Sequence, residues 1–111
     1  MNRENSNISV IGTEIKFALT LSLPVPFMMD DVDFRAKFYI YSDRVGVIKK
    51  AEMLRDDKNT YNCVLNTQSI GYGGRIKCQV EVDLPDNACP DGIRTEIIKL
   101  ETDQLIINGV R

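Results

Sequence analysis

The sequence predicts an all-β domain, an antiparallel β-sandwich of about seven short strands. The central observation is the stretch from Arg75 to Thr102, in which two strand-like segments flank a loop, PDNACPDG, whose prolines and Asp-Gly stop both strands. Apolar and polar residues alternate from Ile76 to Leu84, which is the period of a strand with one buried face. Shorter alternating segments, separated by turn residues, recur along the rest of the chain. The sequence contains no internal repeat.

Size and composition indicate one soluble globular domain. The chain has 111 residues, of which 43% are hydrophobic and 27% charged. Its net charge of −2 lacks the basic excess needed to bind a phosphate backbone, so no nucleic-acid partner is expected. No apolar run approaches the ~20 residues of a membrane span, and the first ten residues lack a signal-peptide core. We therefore expect no membrane partner, and synthesis in a cytoplasm.

The chain opens with a polar arm, residues 1–12, followed by the domain proper, residues 13–111. The arm ends in an apolar patch formed by Ile8, Val10 and Ile11, which is expected either to lie against a neighbouring molecule or to complete the domain's own sheet. Alternating residues then predict a first strand from Glu14 to Leu23, which the prolines at 24 and 26 end because they cannot donate to a ladder.

The loop after the first strand combines apolar and acidic residues. Its carboxylates lack the regular spacing and mid-loop glycine of a calcium loop, so we expect a solvated turn and no metal. Its apolar triplet either caps the core or forms a contact patch. The carboxylates are Asp30, Asp31 and Asp33, and the triplet is Phe27, Met28 and Met29.

The next segment, DFRAKFYIY, is a strand with a distinctive outward face. The inward face consists of Phe34, Ala36, Phe38 and Ile40. The outward face consists of Arg35, Lys37, Tyr39 and Tyr41, and tyrosine and arginine are favoured at protein interfaces. The alternative is that these long side chains pack across neighbouring strands of their own sheet.

Five further strands complete the predicted sandwich. The first covers 45–50 and is followed by a bend or one helical turn at 51–54 and a turn at 56–59. The others are the strand in YNCVLN, the two arms of the central hairpin, and a short apolar strand at 104–107 before the last residues fray. The glycine-rich TQSIGYGG leads into a strand and no Lys-Ser or Lys-Thr follows it, which argues against a phosphate cradle.

Nothing in the residue inventory indicates catalysis or a cofactor. The chain has no histidine, which removes the usual general base and the common triads. Its cysteines, Cys63, Cys78 and Cys89, form no CxxC motif. Cys63 and Cys78 lie on apolar faces and are expected to be buried free thiols, although a disulfide between them stays open at the level of sequence.

The order of these signals resembles small immunoglobulin-like virion proteins of crAss-like and other phages of gut Bacteroidales. The resemblance runs over residues 13–107 and rests on the opening amphipathic strand, DVDFRAKFYIY, VGVIKKAEMLRDD, NTQSIGYGG, the closing VDLPD and the restart PDGIRTEIIKLET. It is also similar to the immunoglobulin-like N-terminal domain of phage baseplate upper proteins. The resemblance implies an immunoglobulin-like antiparallel β-sandwich, a place in the virion, and no catalytic residues.

Two functions are therefore weighed against an enzyme. The expected one is a non-enzymatic virion protein, an adaptor or decoration module at a head fibre, tail or baseplate, with other virion proteins and further copies of itself as partners. The alternative is a bacterial surface adhesin or carbohydrate-binding module, which shares the fold class but normally follows a secretion route.

Overall fold

The computed structural model describes residues 8–107 as nine strands in two sheets. Short 3-10 turns at Met29–Asp31 and Lys50–Glu52 each precede a strand. The strands are β1 (Ile8–Val10), β2 (Glu14–Thr20), β3 (Asp33–Ile40), β4 (Asp43–Lys49), β5 (Leu54–Asp57), β6 (Thr60–Asn66), β7 (Gly74–Pro85), β8 (Ile93–Leu100) and β9 (Leu105–Ile107).

The sheets have the arrangement of an immunoglobulin-like sandwich, as predicted. The larger sheet has the order β1-β9-β7-β3-β4, and β8 also pairs with β7. The smaller sheet has the order β2-β6-β5. All pairs are antiparallel except β1 with β9, which brings the two ends of the described chain together at one edge. The central hairpin of the sequence analysis is β7 and β8.

The core forms because the alternating residues of both sheets point toward each other. On β3, Phe34, Ala36, Phe38 and Ile40 are buried, as the period of two predicts. Two aromatic pairs span the sheets: the rings of Phe17 and Phe38 lie 4.9 Å apart, and those of Phe34 and Tyr61 meet edge to face at 5.1 Å. Gly46 lets β4 approach β6, because a Cβ atom there would lie 2.6 Å from a methyl carbon of Leu65.

Two strands exceed the predicted seven. Ile8–Val10 forms β1 within the domain's sheet, so this part of the proposed arm is integral to the fold. Leu54–Asp57 forms β5, and the predicted bend before it is a single 3-10 turn. The first predicted strand ends at Thr20, earlier than expected. The arm's residues 1–7 and the predicted frayed end, 108–111, lie outside the described residues.

The apolar loop after β2 caps the core. Met29 is completely buried, and Phe27 packs against the core cluster from a half-buried position. The capping alternative is therefore correct for these two residues, because the 3-10 turn at Met29–Asp31 directs the methionine inward.

Candidate interaction surface

The predicted outward face of β3 lies in the middle of an ion-pair ladder. Arg35 donates to Glu81 at 2.9 Å and to Asp83 at 3.0 Å, and the Nζ of Lys37 lies 2.8 Å from Glu81. These partners are cross-strand neighbours on β7, since Arg35 faces Glu81 in the register. Bonds from Lys37 and Arg35 lower the pKa of Glu81, and the bond from Arg35 lowers the pKa of Asp83. The two cations are thus held by their own sheet.

The tyrosines of the same face border a surface groove instead. Tyr39 and Tyr41 line an open depression of about 760 Å³ where β8 leaves β7 and the chain crosses to β9. Lys77 and Lys99 contribute cationic side chains to it, and Glu101 contributes a carboxylate. A groove of this volume, with aromatic walls and both signs of charge, suits a polar ligand or a partner's loop.

Tyr41 has the most exposed aromatic ring of this groove and an unusual backbone. It is 70% exposed and has a φ of 56°, a left-handed conformation that costs a non-glycine residue ~1–3 kcal/mol. Its ring stacks on that of Tyr72 with centroids 6.2 Å apart. Tyr72 in turn donates its hydroxyl to the carboxylate of Asp43, a bond that raises the pKa of Tyr72. The aromatic pair is therefore held in place at the surface by the β3–β4 turn.

The predicted apolar patch of the arm lies at the β1 edge of the same sheet. Ile8 and Val10 in β1 are 40% and 43% exposed, and Ile107 on β9 is 42% exposed. Ile11 packs partly against the core, and its N–H donates to the carbonyl of Ile107 at 2.9 Å. β1 and β9 thus form a small apolar edge in addition to completing the sheet.

The acidic loop is occupied by the protein's own cations. The Nζ of Lys50 donates to the carbonyls of Met29, Asp30 and Val32 at 3.1, 3.2 and 2.7 Å. The carboxylate of Asp30 accepts bonds from Arg55 and from the hydroxyl of Tyr61, which lower the pKa of Asp30 to about 2. Three carbonyl oxygens of the loop and the carboxylate of Asp30 are thus engaged by the protein's own side chains.

The described residues include two buried cysteines and no cluster of potential metal ligands. Cys63 and Cys78 are buried free thiols, and burial raises the pKa of Cys63 to about 11 and that of Cys78 to about 12, so both stay protonated at neutral pH. Between residues 8 and 107 no three His, Cys, Asp or Glu side chains are placed to share a metal ion. No helix in the same range is long and apolar enough to cross a membrane.

Sequence reasoning missed the partners that decide what each surface residue does. Asp43 and Tyr72 complete the aromatic pair at Tyr41, and Glu81 and Asp83 hold the cations, yet each partner is separated from its target by many residues. The one available signal was the run of acidic residues on the outward face of β7, opposite the cations of β3.

Scans against protein-family models, curated proteins and solved structures gave no match to this chain.

Proposed function

We propose that this protein is a non-enzymatic structural protein of a phage virion, an immunoglobulin-like adaptor or decoration module. The proposal combines the sequence resemblance with the absence of histidine from the chain. The observation that carries it is the tyrosine groove, in which Tyr41 is held exposed in a strained backbone conformation and buttressed by Tyr72. Strain concentrates at functional positions, and tyrosine is enriched in binding hot spots.

Other virion proteins are the proposed partners, with the groove as the contact. Arg35 and Lys37, which the sequence analysis grouped with the tyrosines, support the sheet that carries the groove. Tyr39 and Tyr41 line the groove and contact the partner. The apolar edge formed by Ile8, Val10 and Ile107 is a second point of attachment.

The experiment asks whether the protein is part of the particle. An antiserum against the purified chain is used on immunoblots and in immunogold electron microscopy of phage particles purified from the source culture. We expect a signal at a fixed position on the particle. Signal only in the particle-free fraction would reject the virion role.

The contact is then tested by complementation. Tyr41→Gly removes the ring and relieves the positive φ, so it preserves the fold. We expect this variant to be lost from particles, while Val64→Ala, a control at an exposed position of the smaller sheet, is retained. Thermal melts of both variants separate lost contact from lost folding.

A carbohydrate-binding role is the second candidate, favoured by the same exposed ring. The C–H bonds of a sugar ring stack on the electron-rich face of an aromatic side chain. Polar and charged groups beside Tyr41, including Lys77 and Glu101, can bond sugar hydroxyls. A glycan array probed with the protein and with Tyr41→Gly tests this role: a sugar signal that the variant loses favours it, and no signal leaves the protein–protein role.

A further inference from the structure

β8 has a long free edge in the larger sheet. Within residues 8–107 it pairs with β7 alone, over eight residues without a register shift. Two other edges are interrupted or short: the pairing of β4 with β3 contains a register shift, and β5 has four residues, including Arg55 and two aspartates. The edge strand β2 has seven residues, one fewer than β8, and carries the charged residues Glu14 and Lys16. Bulges and short, charged edges are the usual protection against pairing with another chain. The edge of β8 has neither a bulge nor a proline.

The hydrogen bonds between β8 and β7 determine which N–H and C=O groups of β8 point to its free edge. The N–H of Asp86 donates to the carbonyl of Gly92, which continues the register in which Pro85 faces Ile93. Hydrogen-bonded and non-bonded pairs alternate in an antiparallel ladder. Arg94, Glu96 and Ile98 therefore direct their N–H and C=O groups to β7, whereas Ile93, Thr95, Ile97 and Lys99 direct theirs to the free edge.

The side chains along this edge are apolar at two exposed positions. Ile93 is 46% exposed and Ile97 is 58% exposed, and both lie on the outer face because they face Pro85 and Glu81 across the ladder. Thr95 lies between them and donates its hydroxyl to Asp83 at 2.8 Å. Asp91 accepts the N–H of Ile93 at 3.2 Å, which caps one end of the free edge and leaves its centre open.

The sequence of this edge is complementary to itself in one antiparallel register. When Thr95 faces Thr95 of a second strand, Ile93 faces Ile97 and Arg94 faces Glu96, so apolar residues and opposite charges pair on both sides of the axis. Moving the axis to Glu96 places two carboxylates together. Moving it to Ile97 leaves Arg94 opposite Leu100 and Glu96 opposite Ile98, without charge pairs.

We propose that the β8 edge binds the β8 edge of a second copy of this chain, with Thr95 on the two-fold axis. The outward N–H and C=O groups of Thr95 and Ile97, together with the carbonyl of Ile93, bond to the partner strand and extend the larger sheet across the dimer. Because the same surface serves both copies, the contact closes on itself as an isologous dimer. Arg94, which in the single chain bonds Glu96 and Asp86, exchanges its Glu96 contact for that of the second copy.

The first test removes the central N–H of the edge. Thr95→Pro deletes a donor that points away from β7, so the domain's own ladder stays intact. Thr95→Val is its matched control, since it also loses the bond to Asp83 but keeps the N–H. In sedimentation experiments over a concentration series, we expect the parent chain and Thr95→Val to dimerise. The dimer dissociation constant of Thr95→Pro should be higher by about tenfold or more.

The second test uses charge and needs no proline. Arg94→Glu and Glu96→Arg each place like charges opposite one another in their own dimers, so each variant alone is expected to be monomeric. In an equimolar mixture, the new carboxylate at position 94 of one variant faces the new guanidinium at position 96 of the other. The mixture is therefore expected to recover the dimer, although neither chain has regained its internal pair.

A parent chain that stays monomeric at every concentration, or a mixture of the two charge variants that does not dimerise, would overturn the proposal. Neither result bears on whether the protein is found in phage particles.

Discussion

Lys50 is expected to stabilise the fold far more than its half-exposed position suggests. Its ammonium holds three carbonyl oxygens of the loop that caps the core, and it lies 5.3 Å from the ring centre of Phe34 and 5.7 Å from that of Tyr61. Lys50→Met keeps an unbranched apolar chain and removes only the charge and the donors. Met29, whose carbonyl loses its partner, is completely buried.

The magnitude follows from the groups left behind. Unsatisfied carbonyls that water reaches poorly cost ~1–3 kcal/mol, and a lost cation–π contact at a partly exposed site costs ~0.5–1 kcal/mol. We therefore expect the free energy of unfolding to fall by about 2–4 kcal/mol, as measured by urea denaturation with linear extrapolation.

The neighbouring residue supplies the control for this measurement. Lys49 is exposed, and its side-chain ammonium forms none of the ion pairs found between residues 8 and 107. Lys49→Met is expected to change stability by no more than ~0.5 kcal/mol. If Lys50→Met cost no more than Lys49→Met, the ammonium would not be holding the loop.

Three further predictions concern the packing of the core, the loss of stability at acidic pH and the reactivity of the thiols. Phe38→Ala should lower the free energy of unfolding by about 3–5 kcal/mol, because the ring is completely buried against Phe17, and a loss under ~1 kcal/mol would mean that the packing is misassigned. The folded-state pKa of Asp30, about 2, lies below its ordinary value of 3.8, so the stability that the ionised carboxylate contributes is present above pH ~4 and is lost as the pH falls toward 2. Asp30→Asn should therefore flatten the dependence of the free energy of unfolding on pH between these values. If the curves of the parent chain and the variant ran parallel, the Arg55–Asp30 pairing would be contradicted. In the folded protein only Cys89, which lies partly exposed in the hairpin loop, should react rapidly with a thiol reagent, and a rapid phase that survives in Cys89→Ser would show that Cys63 or Cys78 is accessible.

The sequence predicted those elements whose pattern is local. Alternation from Ile76 to Leu84 and from Phe34 to Ile40 directly encodes one buried face, and all the apolar residues of these two runs that point inward are buried. The hairpin loop was predicted for a similar reason, because Pro85, Pro90 and the Asp91-Gly92 pair are turn residues that do not continue a strand ladder.

The missed elements depend on partners far along the chain. β1 has three residues and exists through its parallel pairing with β9, nearly a hundred residues later. All four residues of β5 are exposed, so the segment has no alternation of buried and exposed residues that could predict a strand. Its pairing with β6 makes it one. The role of Lys50 is invisible in the sequence for the same reason, since its three acceptors lie 18 to 21 residues earlier.

The same long-range pairing separates the two proposed modes of attachment. β9 pairs with β7 at Gly74 and Arg75, whereas the far end of β8 faces Pro85. Ten residues of extended strand span about 33 Å, so the apolar edge at the chain ends and the tip of the β8 edge lie at opposite ends of one long strand. A second copy whose strand pairs at Ile93, Thr95 and Ile97 therefore makes no backbone bond to Ile8 or Val10. Because the two contacts share no residue, Thr95→Pro should weaken the dimer without displacing a partner bound at the chain ends, and the proposed adaptor role needs that independence to join a copy of itself to a different protein.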